Sequence, residues 1–364
     1  MIAQDVIDAP AAAPAQQQSG TIKKSAIPDD KEMLRAAVEL TRDISAALPR
    51  IYWPDMLASA ALGYAALAGA ILIANPWLAT LSGILAALAL YRALLFIHEL
   101  THIHKDALPG FRFGWNLLVG IPLLTPSLMY EGVHTLHHAR TRYGTVDDPE
   151  YLPLALMKPW SLPVFALTAI LLPFALLLRS AVLVPLGAVI PPLRRLVWAR
   201  FSALAINPEF RRRPPEGEFR RMVFWQELGC SAWAIALLAS TLVLGWRPLL
   251  IALCVVSLTA FLNQVRTLVA HLWENDGDAM TVTAQYLDSV NVPPPAVLAP
   301  LWAPVGLRYH ALHHLLPSMP YHSLGEAHRR LSEHLGLDTT YTKASYPGLM
   351  PLMSRLVGST MRPR

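Results

Sequence analysis

Three histidine clusters carry most of the chemistry available to this chain: His98-Glu-Leu-Thr-His102, His134-Thr-Leu-His-His138 and His310-Ala-Leu-His-His314. On a helix, residues three and four apart share a face, with Cβ atoms about 5–6 Å apart. His98 and His102 then stand together, and His134, His137 and His138, like His310, His313 and His314, form contiguous patches. A lone His is more often a satisfied core or surface residue than a ligand, and that bland reading suits His104, His322, His328 and His334. It fails for the clusters, because their eight imidazoles would need an independent source of hydrogen bonds.

Neutral imidazole suits zinc, copper, iron and nickel. One zinc takes about four ligands, which leaves half of these histidines idle. Two metals with several histidines each account for them better. A competing motif is His98-Glu99-Leu-Thr-His102, a literal H-E-x-x-H in which two His bind zinc and Glu acts as general base. Leu287-Asp288-Ser289 loosely resembles the third-ligand motif of intramembrane metalloproteases, with Ser289 where that motif has Gly. The protease reading leaves both His-x-x-His-His boxes unexplained. Without it, Glu99 is a surface carboxylate or one that orients an imidazole.

The elements that position these boxes are membrane helices. The chain has 364 residues, 54% hydrophobic and 15% charged, with mean hydropathy +0.38, whereas an average soluble domain carries about 25% charge. Met56–Ala74 is an unbroken apolar run; Asn75-Pro76 ends it and Trp77–Ile97 follows. About 20 apolar residues span a bilayer core, so these form a transmembrane hairpin. Phe224–Gly245 and Pro248–Leu262 make a second, whose last helix can continue to about His271. Between them, Trp160–Leu193 is apolar but broken by Pro163, Pro173, Arg179, Pro185 and Pro191-Pro192. It reads as two further spans or a re-entrant hairpin, entering and leaving on one side.

The expected architecture is all-α: an integral membrane helical protein with two transmembrane hairpins, the re-entrant or extra hairpin, and a cytoplasmic helical cap holding a di-metal site. Residues 1–30 read as a disordered tail, with an amphipathic helix over 30–48 near the membrane surface. Residues 31–340 form the membrane domain and 341–364 a C-terminal tail. Lys105, Arg194, Arg195, Arg200, Arg211–Arg213 and Arg220-Arg221 fall on one side, which the positive-inside rule makes cytoplasmic. The net charge of +5 therefore reflects basic loops rather than a nucleic-acid partner. Arg outnumbers Lys 24 to 6, a coding bias that fits a bacterium; together with the basic side, the expected place is a bacterial inner membrane with the site facing the cytoplasm. Cys230 and Cys254 lie in apolar stretches and read as core residues, not as a disulfide or a metal site.

The order H-x3-H, H-x2-H-H, two spans, H-x2-H-H resembles the membrane fatty-acid desaturase family, which includes hydroxylases and ketolases. The resemblance covers about residues 54–330. Asn263-Gln-Val-Arg-Thr-Leu-Val-Ala-His271 adds to it, since similar enzymes carry a further metal-binding His at the end of the last membrane helix. His314-Leu-Leu-Pro-Ser-Met-Pro-Tyr321 is similar to the segment after the third box of bacterial acyl desaturases. The third box opens with His310 rather than Gln, unlike front-end desaturases, and the first box has three intervening residues, unlike the animal acyl-CoA enzymes. Some relatives have Asn four residues before the extra His; here Thr267 stands there and Asn263 lies two turns back.

The resemblance implies two iron ions held by His98, His102, His134, His137, His138, His271, His310, His313 and His314. Asp147, Asp148, Arg266 and Asn263 are candidates for orienting the imidazoles; for the Asp pair the plain alternative is a solvated loop or helix cap. The implied activity is O2-dependent desaturation of an acyl chain, borne on a lipid, on CoA or on an acyl carrier. A hydroxylase or ketolase of an acyl chain or carotenoid uses the same centre. A non-catalytic metal- or haem-binding membrane protein is the reading from another class. Haem takes one or two His, and transport ligands lie near the bilayer midplane rather than at helix ends. No cysteine cluster, G-x-G-x-x-G or haem-binding cytochrome domain is present, so electrons come from an external ferredoxin- or cytochrome-type donor docking on the basic face.

Overall fold

A computed structural model describes residues 27–361. The expected N-terminal tail falls outside them except for residues 27–30, which are tied down: Thr281 donates to the Ile27 carbonyl at 2.7 Å and Asp30 N–H donates to Thr283 Oγ1 at 2.8 Å. Asp30 also caps α1 (Lys31–Glu39) by accepting from Met33 N–H. The apolar face of α1, Met33, Ala36 and Ala37, packs against Tyr286, Leu312 and Leu331. The amphipathic helix expected over 30–48 therefore ends early and lies against protein, not lipid.

The first hairpin is α2 (Pro49–Leu72) and α3 (Pro76–His102). Asn75 makes the turn, its side chain accepting from Trp77 and Leu78 N–H at 3.0 and 3.1 Å, and Pro76 starts the next helix where a missing N–H costs nothing. Gly63 lets the pair close, since a Cβ there would meet Leu90 Cδ2 at 2.6 Å. Both helices extend beyond the apolar runs, which carries the first histidine box up into the cap on the last turn of α3.

The second box lies on a single helical turn, α4 (His134–His137). Next, α5 (Ser161–Leu178) continues through a π turn at Arg179–Leu183 to Val189, and α6 (Pro191–Phe201) folds back on it. Gln264 Nε2 donates to Phe165 O at the start of α5, while Leu204 and Ile206 N–H donate to Met129 and Pro149 carbonyls beside the second box. The excursion thus returns to the end it left. Its return helix, 11 residues long, is about 17 Å, too short to cross a bilayer core of about 30 Å. In the turning region Glu227 pairs with two arginines, Arg179 at 2.7 Å and Arg194 at 2.6 Å.

The second hairpin is α7 (Gly217–Leu244) and α8 (Arg247–Leu268). Helix α8 is central: Thr259 donates to Ala87 O on α3, and Ser257 to Ile170 O on α5. Among the described residues, five helical runs, Ser161–Val189 included, are long and apolar enough to cross a membrane. Their outward faces expose Leu72, Trp77, Leu242 and Val243, as a lipid-facing surface requires.

The cap is completed by α9 (Val282–Asp288), α10 (His310–Leu315), α11 (Leu324–Leu335) and α12 (Leu349–Thr360). Residues 341–361 do not form the expected tail. Tyr341 and Ala344 are buried beside α11, Tyr346 and Asn291 pair their backbones, and α12 seats Leu352 and Leu356 in the core. Among the described residues there is no β-strand, only isolated bridges such as His271 with Ser289.

Candidate metal centre

The three boxes and His271 converge at the cap end of the bundle. Their nitrogens form two groups, His98, His102, His134, His138 and His313 in one and His137, His271, His310 and His314 in the other, with the potential ligand atoms of each group within 4.8 Å of one another. Each His-x-x-His-His box is divided between the groups. The i, i+4 pairs His134/His138 and His310/His314 stay together, while His137 and His313 point to the opposite group. Helical geometry explains this: residue i+3 is rotated from i and i+4 enough to face a second centre. The groups abut, with His138 and His314 rings stacked at 4.3 Å.

Several imidazoles are fixed through Nδ1. His137 donates to Asp148, both of whose oxygens lie at 3.0 Å, and Asp148 is itself held by Gly144 and Glu150 N–H. His134 donates to Glu150 at 2.8 Å beside Tyr130, whose hydroxyl donates to the same carboxylate at 2.7 Å. His271 Nδ1 meets the Tyr143 hydroxyl at 2.9 Å and Ser289 Oγ at 3.2 Å. Tyr143 and Tyr151 in turn donate to Asp288.

Burial and neighbouring imidazoles hold His134, His138, His310, His313 and His314 well below their usual pKa range, so they are neutral donors. Burial opposes the His137 cation, but the carboxylates of Asp148, Glu150 and Asp288 together outweigh it and raise that group. Glu150 is pushed up to about 7 by burial.

Of the candidate orienting groups, Asp148 contacts an imidazole directly, whereas its neighbour Asp147 is exposed, its N–H donating to Thr145 Oγ1. Arg266 and Asn263 bond to each other, with no hydrogen bond to an imidazole shown for either. Glu150, Tyr130 and Tyr143 were missed by sequence reasoning, and Asp288 was noted only within the protease-like Leu287-Asp288-Ser289. Glu150 stands close behind the second box, so an acidic residue within reach of a ligand was a usable signal; Asp288 and Tyr143 are far apart in sequence and left none. The protease motif has no matching geometry. Glu99 is buried, accepting from Tyr52 OH and Tyr321 N–H 3.6 Å from His98 Nδ1, and Asp288 takes two tyrosine hydroxyls.

The donor set fits metal. His138 Nε2 lies 3.0 Å from His134 Nε2 and 3.1 Å from His313 Nε2, and His310 Nε2 lies 3.0 and 3.2 Å from those of His271 and His314. Where Nδ1 carries the proton, Nε2 offers a lone pair, and lone pairs facing each other do not bond. His98 Nδ1 and Nε2, His102 Nε2, His310 Nδ1 and His314 Nδ1 are buried without partners. Cations between the converging nitrogens remove that conflict. His104, His322, His328 and His334 stand outside both groups.

The sequence model for fatty acid desaturases matches residues 75–344, about three-quarters of the chain. The chain belongs to the fatty acid desaturase family. These are membrane oxidoreductases, and the five apolar helical runs agree. A curated family relative, the ceramide hydroxylase of Caulobacter vibrioides (strain NA1000 / CB15N), is 51% identical over 330 residues, covering 90% of this chain and 93% of that protein. The family likeness matches the expectation from the boxes. The relative's name is that of the hydroxylase expected as the alternative, not of the desaturase expected first.

Proposed function

We propose that this protein is an O2-dependent di-iron hydroxylase of a ceramide-type lipid, working at the inner membrane of a bacterium with its centre toward the cytoplasm. The observation that carries it is the 51% identity to a ceramide hydroxylase across nearly the whole of both chains. The nine clustered imidazoles are the ligand set for two metals. Bound iron would supply, from O2 and two electrons, the oxidising power for an unactivated C–H bond, which side-chain acids and bases lack. One oxygen atom enters the C–H bond and the other leaves as water, which takes two electrons from an external ferredoxin- or cytochrome-type donor and two protons from solvent.

The chain's own contribution is placement. Asp148, Glu150 and Tyr143 hold the Nδ1 protons of His137, His134 and His271 so that each Nε2 faces inward. His134, kept neutral by burial, needs no proton removed before it binds. Seven of the nine imidazoles are buried, with His134, His137 and His313 each 1% exposed, while His102 and His138 are partly exposed, which limits the access of bulk water to a reactive centre.

The test is expression in a ceramide-containing host, followed by lipid extraction and tandem mass spectrometry. Hydroxylation gives a ceramide one oxygen atom heavier, located by fragmentation to one chain. A ceramide lighter by two hydrogens reinstates desaturation, and unchanged ceramides overturn the substrate assignment.

A further inference from the structure

Arg266 sits in the last turn of α8 and is 9% exposed. The other two arginines buried among the described residues leave no buried side-chain nitrogen without a partner. Arg179 pairs with Glu227 and donates to Phe201 O, and Arg212 donates to the carbonyls of Leu128, Ser202 and Glu131. Arg266 instead donates from Nη2 to Asn263 Oδ1 at 3.1 Å, and its buried Nε–H has no acceptor. No ion pair to it is found among the described residues. The helix dipole favours a cation near a C-terminus, but it does not satisfy an N–H pointing into protein.

The position sharpens the problem. The Arg266 charge acts on His98 and His310, one from each imidazole group, and favourably on the Glu150 carboxylate, and the guanidinium lies within hydrogen-bonding reach of the Tyr91 hydroxyl, yet none of these gives its Nε–H an acceptor. Metal cations there would repel it further. An ionisable group inside a membrane bundle is costly and marks a partner, and a buried donor left unmade costs about 1–3 kcal/mol. Guanidinium only donates, so the partner must carry an oxygen acceptor. A plain hydrocarbon chain has none; a ceramide has an amide carbonyl and hydroxyls.

We propose that Arg266, braced by Asn263, binds the amide carbonyl or a hydroxyl oxygen of the lipid substrate, and so fixes which carbon reaches the metal centre. This rests on the ceramide hydroxylase reading. A free fatty acid presents the same acceptor chemistry through its carboxylate.

The experiment measures binding of a short-chain ceramide, a fatty acid and a hydrocarbon of matched length to the metal-loaded protein in detergent, by calorimetry and thermal shift. Wild type binds ceramide more tightly than hydrocarbon. Arg266→Gln and Arg266→Met weaken ceramide binding about tenfold or more, raise KM more than they lower kcat, and scatter the position of the product hydroxyl. Hydrocarbon binding, metal content and lipid-free stability stay as in wild type, and Arg266→Lys recovers part of the affinity. Variants that bind ceramide like wild type overturn the proposal, as does loss of metal or stability in step with lipid binding. Equal wild-type affinity for ceramide and hydrocarbon overturns it without any variant. Wild type that binds the fatty acid but not ceramide removes the substrate reading while keeping the anchor; wild type that binds no lipid removes both.

Discussion

Both carboxylate oxygens of Asp148 lie 3.0 Å from His137 Nδ1, with side chains 0% and 2% exposed. Asp148 also accepts from Gly144 and Glu150 N–H, so one carboxylate shapes the loop and aims the imidazole that crosses to the second group. Asp148→Asn keeps the shape and removes the charge. Metal affinity should fall about tenfold to a hundredfold, read by metal titration of the purified variant against wild type. An unchanged affinity would remove Asp148 from the centre.

Tyr143 joins His271 to Asp288 through one hydroxyl. Tyr143→Phe breaks both bonds beside the four-imidazole group and touches none of the five-imidazole group. Metal bound per chain should drop toward half of the wild-type value, measured by mass spectrometry of the purified protein. Loss of all the metal would show that the groups do not load separately.

Gly144 has φ +70°, and a Cβ there would come within 2.5 Å of Asn275 Nδ2. Asn275 cannot move freely, because it donates to the Gly144 and Asp278 carbonyls. Gly144→Ala should lower stability by about 1–3 kcal/mol, seen as an earlier thermal transition with reduced metal content. A transition at the wild-type temperature would count against this.

Glu227 holds two arginines in the bundle. Removing one member of a buried ion network leaves uncompensated charge, typically costing about 3–5 kcal/mol. Glu227→Ala should therefore unfold well before wild type in a detergent thermal ramp. Arg194→Ala should cost far less, since the Arg194 side chain is 34% exposed.

Arg212 ties the excursion to the second box through the Leu128, Ser202 and Glu131 carbonyls. Arg212→Met should cost about 3 kcal/mol by stranding those acceptors, and should speed proteolysis within residues 190–215. Cleavage at the wild-type rate would show that the segment is held elsewhere.

The sequence by itself determined the membrane class, the two hairpins and eight of the clustered imidazoles, because each is a local signal. Apolar length sets a span, Asn75-Pro76 sets a turn, and helical spacing sets which histidines share a face. His271 entered through family resemblance, lying alone after α8 with no local pattern. Tertiary structure decided the rest. The division of both His-x-x-His-His boxes between two groups depends on how α3, α4 and α10 meet, which no single helix specifies. The Tyr143–Asp288 support joins residues 145 positions apart. The helix of residues 349–360 reads as a tail until its apolar side finds a cap to bury in. Arg266, whose spacing placed it near the imidazoles, proves to be bonded to Asn263 with an unmet donor. Periodicity records what a segment can bury; which partner it meets is a property of the folded chain.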